Sequence, residues 1–180
     1  MEAHKLENYS YEDYLDIDRS TPDKERYELI FGDIYMMSGA SRKHQDVVGN
    51  IFFILKQLQK ESGCTPVIAP YDLKIECAGV IYVVQPDILL YCDDAVRPCA
   101  IFEVLSPSTA YKDKSVKKDL YEQCGISNYF IVDPLAQTID KFLLSEGKYH
   151  YDRCYGDEDE MDIECLNRTV SIPEIFPQGT

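Results

Sequence analysis

The sequence lacks any apolar run long enough to cross a membrane. Its longest apolar stretches, residues 47–58 and 126–132, are interrupted by polar side chains and fall short of the roughly 20 residues that a spanning helix needs. The first twenty residues carry six acidic side chains and no apolar core, so we expect neither a secretory signal nor a transit peptide. These features predict a cytoplasmic protein that does not associate with a membrane.

Close cysteine pairs are also missing. The chain has seven cysteines, an odd number, and no two of them form a C-x-x-C pair. Disulfide frameworks are typical of short secreted chains with an even, dense set of cysteines, and zinc sites usually draw their ligands from close pairs. We therefore expect reduced, mostly buried thiols.

Positive charge is scarce, because 18 Lys and Arg oppose 32 Asp and Glu and give a net charge of −14 at pH 7. Proteins bind nucleic acids mainly through Lys and Arg that neutralise phosphates, so this balance argues against a broad nucleic-acid surface. The distribution is uneven, however. The acidic run at 157–162 is separate from four clustered lysines, Lys112, Lys114, Lys117 and Lys118, and a local positive patch can exist on an acidic protein.

The length of 180 residues and the hydrophobic fraction of 45% predict one globular domain spanning residues 1–180. Helical signals follow Ser10, Ser41 and Thr109 or Asp113, and the second of these helices ends near Gly63. The sequence predicts strands at residues 27–30, 34–37, 73–77, 82–91, 100–105, 129–132, 138–144 and 148–151. The tail from residue 157 reads as acidic, then irregular. The order predicts an α/β (α+β) fold in which helices flank a central mixed sheet, with a helix and hairpin at the N-terminus.

Two carboxylates interrupt apolar, strand-like segments. Asp87 lies in Gln85-Pro-Asp-Ile-Leu-Leu-Tyr91, and Glu103 lies in Ala100-Ile-Phe-Glu-Val-Leu105. Buried carboxylates are almost never left without a partner. Asp87 alone would fit a turn residue after Pro86, and Glu103 would fit a structural salt bridge with Lys117. Together, the two favour a functional site.

This pair has the chemistry of a magnesium site. Mg²⁺ takes oxygen ligands, often only one or two carboxylates together with water and substrate phosphate. Asp87 and Glu103 would supply the carboxylates, and the backbone carbonyl of Val104 a third oxygen. Such an ion lowers the pKa of a bound water and neutralises charge on a phosphodiester. A nearby lysine, Lys117, would assist by orienting the attacking water or by stabilising negative charge in the transition state. As an isolated feature, the lysine cluster would fit the solvated face of a helix.

The same residues resemble a known family. Pro86-Asp87 followed by Glu103-Val-Leu105 resembles the PD-(D/E)XK nuclease superfamily. The longer string Glu103-Val-Leu-Ser-Pro-Ser-Thr109, Asp113-x-x-x-Lys117, Leu120-Tyr121, Gly125 and Tyr129-Phe-Ile-Val-Asp-Pro134 resembles its Uma-type branch of bacterial restriction endonucleases. Upstream, Tyr27-Glu-Leu-Ile30, Gly32-Asp33, Met37-Ser38 and Arg42-Lys-His-Gln45 also match. The resemblance covers about residues 10–176.

The resemblance implies a restriction-endonuclease-like fold and an endonuclease that hydrolyses DNA with Mg²⁺ or Mn²⁺ bound by Asp87 and Glu103. The superfamily places a lysine two residues after the second acid, but this chain has Leu105 there. In the Uma-type branch the lysine comes from the following helix, which implies Lys117. Lys114, one helical turn earlier on the same face, is the second choice.

Other implied roles have competing interpretations. The resemblance makes Glu28 a further acid near the metal, although it also fits the polar side of an edge strand. His44 matches a recurring position but also fits a helix cap, and Asp113 is a secondary candidate. A homodimer is expected by analogy, because paired sites can cut both strands. The alternatives are an inactive binding or assembly module of the same fold, which the negative charge favours, and an enzyme that acts on a small phosphorylated or acidic molecule.

Overall fold

The computed structural model describes residues 8–22, 25–93 and 96–176. The prediction that no targeting signal is present rests partly on residues 1–7, which lie outside these ranges, as do residues 94–95 of the loop after Tyr91. Within the described ranges, no helix has the length and apolarity needed to cross a bilayer.

The N-terminal helix and hairpin form where the sequence predicts them. Helix α1 (Tyr11–Ser20) begins with a capping box, in which the Ser10 side chain accepts from the Asp13 amide and the Asp13 carboxylate accepts from the Ser10 amide. Strands β1 (Tyr27–Ile30) and β2 (Asp33–Met36) then pair antiparallel. Phe31 and Gly32 both have positive φ at the turn that joins them.

Helix α2 (Arg42–Ser62) is the long amphipathic helix predicted from apolar spacing. The Ser41 side chain caps its start, and Gly63 ends it in the left-handed conformation. The helix buries a face made of the following residues: His44, Val47, Val48, Ile51, Ile54 and Leu55. This face packs into the core on one side of the central sheet.

The central sheet is mixed and has six strands. Their order across the sheet is β10 (Lys148–Tyr155), β9 (Thr138–Ser145), β8 (Asn128–Asp133), β7 (Ala100–Val104), β6 (Ile88–Tyr91) and β3 (Thr65–Ile68). Strands β7 and β8 run parallel, and the other neighbours run antiparallel. A second, antiparallel sheet has the order β2, β1, β5 (Val80–Val84) and β4 (Leu73–Cys77). The predicted mixed sheet flanked by helices is confirmed.

Alternation along β7 divides the core in two. Ala100, Phe102 and Val104 pack on the face covered by α2, whereas Ile101 and Leu105 pack on the opposite face. Because side chains alternate along a strand, Glu103 points to the same face as Ile101 and Leu105. That face is covered by the second sheet and by the helical segment after β7.

The helical segment after β7 is irregular. It consists of α3 (Ala110–Lys112), a π-helical turn (Asp113–Lys117) and α4 (Lys118–Gln123), and Gly125 follows with positive φ. The π-helical turn buries Asp113 and Lys117, which are four residues apart, and leaves Lys114 exposed. The predicted helix is therefore present, but its period changes where the lysines lie.

The C-terminal tail is more regular than expected. Strands β11 (Glu160–Ile163) and β12 (Arg168–Ser171) form a hairpin around a 3₁₀ turn (Glu164–Leu166), and α5 (Ile172–Ile175) follows. Met161 and Ile163 are buried while Glu160 and Asp162 are exposed. The prediction of an irregular tail is wrong because these acidic residues form the solvent side of a strand.

The expectation of reduced thiols also differs from the structure. Six cysteines pair as disulfides, Cys64 with Cys92, Cys77 with Cys124, and Cys99 with Cys165, and the exposed Cys154 is free. The pairs join residues 28, 47 and 66 positions apart. Sequence spacing does not reveal such long-range pairs.

Candidate active site

Asp87 and Glu103 are brought together by the pairing of β6 with β7. Ile88 pairs with Phe102 in this antiparallel ladder, so the register continued by one residue places Asp87 opposite Glu103. Directly opposite residues point to the same face of a sheet. Both carboxylates accordingly line one cavity.

The Asp87 side chain is fixed through one oxygen. Its Oδ2 accepts a hydrogen bond of 2.8 Å from the Val104 amide and lies 3.3 Å from His44 Nε2. The side chain is 20% exposed, in contrast to the 4% of Glu103. Asp87 is therefore held in place at the solvent-facing side of the pair.

Glu103 is buried and carries strong donors on one oxygen. Its Oε1 accepts from Lys117 Nζ and from the Tyr121 hydroxyl, both at 2.8 Å. Burial raises the pKa of Glu103 to about 8, although Lys117 opposes this shift. The positive charge of Lys117 therefore does not fully offset the cost of burying the charged Glu103 carboxylate.

Lys117 lies at the centre of an acidic group. Its Nζ is 2.8 Å from Glu103 Oε1, 2.9 Å from Glu28 Oε1 and 3.8 Å from Asp113 Oδ1. Burial alone would lower the pKa of Lys117, but the three carboxylates raise it well above its ordinary value. These contacts favour the charged, ammonium form of Lys117.

Lys114 does not share this position. Its side chain is exposed and is not among the residues that line the cavity. The expectation that Lys114 and Lys117 lie on one helical face assumes a regular α-helix. In the structure Lys117 is buried and Lys114 is exposed, and the π-helical turn that contains both departs from the α-helical period.

Glu28 lies behind Lys117, outside the set of cavity-lining residues. It is fully buried on β1. Its Oε1 accepts from the Gln85 amide at 2.9 Å, and its Oε2 lies 2.5 Å from Lys112 Nζ. Burial raises the pKa of Glu28, but Lys117 and Lys112 outweigh burial and lower it overall. Glu28 contacts the lysines instead of facing the cavity, where a ligand to the predicted metal would lie.

His44 and Val104 complete the wall beside Asp87. Burial lowers the pKa of His44, but hydrogen bonding to Asp87 and to the Val104 backbone raises it overall. His44 Nδ1 is buried and has no hydrogen-bond partner among the residues that the structure describes. The predicted position of His44 near the site is thus observed, and its ring is oriented through Asp87.

One cavity of about 530 Å³ unites the predicted residues, Glu28 and Lys114 excepted. Its lining includes His44, Asp87, Glu103, Val104, Asp113 and Lys117. Burial raises the pKa of Asp113 as well, against the effect of Lys117. The cavity therefore combines several acids with limited compensating charge.

This donor set fits a hard divalent cation. The group contains more carboxylates than ammonium groups, with four acids, Glu28, Asp87, Glu103 and Asp113, around Lys112 and Lys117. In the part of the chain that is described, no three side chains among the site's acids and His44 bring ligand atoms within 4.8 Å of one another. Side chains alone would therefore supply only part of the coordination shell. Asp87, Glu103 and the Val104 carbonyl would leave positions for water or phosphate, as Mg²⁺ prefers.

Supporting residues that the sequence does not single out surround the predicted ones. Lys112 donates to Glu28, the Gln85 amide also donates to Glu28, and the Tyr121 hydroxyl donates to Glu103. Tyr129 similarly donates to the Asp113 carbonyl at 2.8 Å. The spacing of these tyrosines in the sequence indicates that their rings are buried. It does not indicate which acceptors their hydroxyl groups bind, because those contacts depend on tertiary packing.

Known proteins resemble this chain along nearly its whole length. Residues 11–173 match the Uma2 family model, whose description is "Putative restriction endonuclease". The uncharacterized protein slr1290 of Synechocystis sp. is 25% identical over 162 residues, which cover 85% of this chain and 84% of that protein. The crystal structure of "a putative nuclease belonging to DUF820" from Anabaena variabilis superimposes with a TM-score of 0.73 and 14% identity, over 93% of this chain and 97% of that one. This likeness confirms the predicted nuclease fold.

Proposed function

The chain belongs to the Uma2 family of restriction-endonuclease-like proteins, and on that premise we propose that it is a metal-dependent endonuclease that hydrolyses phosphodiester bonds of DNA. Asp87, Glu103 and the Val104 carbonyl would hold Mg²⁺ or Mn²⁺. Lys117 would act on the phosphate. The observation that carries the proposal is the meeting of two opposed carboxylates and a buried lysine in one cavity.

Each residue has a role that its contacts support. Asp87, fixed by the Val104 amide, holds its free oxygen toward the cavity. Glu103 would bind the cation in its charged form. Lys117, as an ammonium ion, stabilises negative charge that develops on the phosphate instead of removing a proton. Glu28 and Tyr121 are positioning residues, because they act through Lys117 and Glu103.

The metal would supply an activated water and neutralise charge on the scissile phosphate. Arg26 and Lys112 are also among the residues that line the cavity and could contact a phosphate backbone. His44, oriented by Asp87, lies at the wall where a leaving group could take a proton. A homodimer that presents two such sites to two strands belongs to the same proposal.

The second candidate is an inactive binding or assembly module. The net charge of −14 favours it, because an acidic protein repels the DNA backbone. The two candidates differ in turnover. A binding module shows no metal-dependent cleavage of any substrate.

The test is nicking of supercoiled plasmid by the purified protein with Mg²⁺ or Mn²⁺. We expect D87N and E103Q each to lower the rate at least roughly 100-fold, because a catalytic metal contributes several kcal/mol of charge stabilisation. A chelator should have the same effect on wild type. The matched control is E76Q, since Glu76 is an exposed acid on β4, away from the cavity.

Two outcomes would contradict the nuclease proposal. Cleavage that persists in both D87N and E103Q would assign the activity to a contaminant or to another site. Complete absence of cleavage of plasmid, linear DNA and RNA with either metal would favour the binding module.

A further inference from the structure

Four cysteines from separate parts of the chain meet at one end of the central sheet. Cys64 follows α2, Cys92 follows β6, Cys99 precedes β7, and Cys165 lies in the 3₁₀ turn after β11. All four pack with the core on the α2 side of the sheet. They lie at the end of the β6–β7 hairpin opposite Asp87 and Glu103.

The four side chains form one group instead of two separate pairs. Cys64 is bonded to Cys92 and Cys99 to Cys165, yet the sulfurs of Cys92 and Cys99 are only 3.4 Å apart. The sulfurs of Cys92, Cys99 and Cys165 all lie within 4.8 Å of one another. The sulfurs of Cys64 and Cys92 also approach the Cys165 carbonyl, at 3.7 and 3.5 Å.

Disulfide bonding alone does not require this arrangement. Cys77 and Cys124 form a disulfide in the core on the opposite side of the sheet, where each has one partner. A disulfide stabilises by joining two chain segments and gains nothing from a second disulfide in contact with it. Three sulfurs within 4.8 Å of one another, with the sulfur of Cys64 bonded to one of them, have the ligand type and spacing that a thiolate metal site requires.

We propose that the reduced chain binds one Zn²⁺ ion on the thiolates of Cys64, Cys92, Cys99 and Cys165. A dithiol reductant opens each disulfide by giving two electrons and two protons and becomes a disulfide itself. Zn²⁺ then displaces one proton from each of the four thiols and forms four Zn–S bonds. The site is independent of the nuclease proposal.

The choice of zinc follows from ligand type and spacing. Thiolates select soft or borderline ions, and four of them around one ion are typical of structural zinc. A Zn–S bond of about 2.3 Å places tetrahedral sulfurs about 3.8 Å apart, close to the 3.4 Å between Cys92 and Cys99. A four-iron cluster would need wider spacing. The ion would tie the end of α2 and the β6–β7 hairpin to the C-terminal hairpin.

The test is a Co²⁺ titration of the full chain after anaerobic reduction with a phosphine and removal of bound metal. Thiolate ligation gives a thiolate-to-cobalt charge-transfer band that carboxylate ligation does not give. We expect the band to saturate at one Co²⁺ per chain and to vanish when Zn²⁺ displaces the cobalt. C99S and C165S should each weaken cobalt binding and lower the intensity of the band, because only three thiolates remain.

Matched variants separate this site from every other thiol and from the carboxylates. The double variant C77S/C124S, the exposed-thiol variant C154S and D87N should keep the full band. Absence of the band in reduced wild-type protein would overturn the proposal, whatever the variants do. A band of unchanged intensity and unchanged cobalt affinity in both C99S and C165S would also overturn it. Iron and inorganic sulfide in the purified protein would overturn the assignment to a single zinc ion.

Discussion

Two buried lysines, Lys117 and Lys141, each meet three carboxylates, but only one of the two groups lies at the candidate active site. The acids that contact Lys117 are buried: the exposed fraction of the side chain is 0% for Glu28, 4% for Glu103 and 3% for Asp113. The acids that contact Lys141 are accessible to solvent: the exposed fraction is 35% for Asp152, 56% for Asp162 and 43% for Glu164. Water therefore solvates the acids around Lys141 but hardly reaches those around Lys117.

This difference in solvation changes the electrostatics. Burial raises the pKa of Glu103 to about 8, whereas the hydrogen bond from Lys141 lowers the pKa of Asp162. The solvated acids around Lys141 offset the cost of burying its ammonium group. Lys141 thereby makes a structural contact between β9 and the C-terminal hairpin. A lysine with buried acids leaves excess negative charge, which a bound cation would relieve.

The largest expected difference between the two groups is the loss of stability when the lysine is removed. K117M should lower the free energy of unfolding by about 3–5 kcal/mol, because it leaves buried acids without their cation. K141M should cost about 1 kcal/mol or less, because its acids stay in contact with water. Chemical denaturation of both variants and wild type in metal-free buffer measures the two values. Equal losses would break the comparison.

The sequence predicts much of the fold that positions this site. Apolar spacing gives α2, and alternation with turn signals gives the β1–β2 and β9–β10 hairpins. The carboxylates Asp87 and Glu103 stand out because charge interrupts apolar strands. Their opposition then follows from the β6–β7 register.

The rest could not be predicted because it depends on tertiary contacts. The π-helical turn, which buries Lys117 and exposes Lys114, has no signature in residue spacing. Lys112 looks like a surface lysine until β1 places Glu28 beside it. The cysteine group joins residues as many as 101 positions apart, such as Cys64 and Cys165. The Glu160–Ile163 strand did leave a signal, an alternation that its acidic composition concealed.

Metal binding should stabilise only the group with the unsolvated acids. Mn²⁺ at 100 times its dissociation constant should raise the free energy of unfolding of wild type by about 2.7 kcal/mol. D87N should show no such gain, because it removes a ligand, and K141M should show the full gain. Chemical denaturation with and without Mn²⁺, in buffer free of other divalent metals, measures these differences. A gain of equal size in D87N would place the ion elsewhere.

Neutralising one acid in each group should shift stability in opposite directions. In metal-free protein the raised pKa of Glu103 makes its charged form unfavourable. Wild-type stability therefore falls as pH rises from the ordinary 4.5 to about 8 and then levels off. E103Q escapes this loss, so its stability relative to wild type should rise steadily over that range, and its Tm should rise relative to that of wild type.

D162N is the matched change in the Lys141 group. The lowered pKa of Asp162 makes its charged form favourable. D162N should therefore lower Tm above the ordinary pKa of 3.8, and the deficit should disappear as pH falls through the lowered value. Melts of both variants across the pH range check the two signs. A destabilised E103Q at pH 8 would contradict the account of the buried acids.

The most direct measurement is a crystal structure of the protein with Mn²⁺, read from the anomalous scattering of the metal. The account predicts one strong peak in the cavity, bound by carboxylate oxygens of Asp87 and Glu103 and by the Val104 carbonyl, with Lys117 still beside Glu103. A cavity without a peak at a saturating Mn²⁺ concentration, or carboxylates too far apart to share one ion, would contradict it.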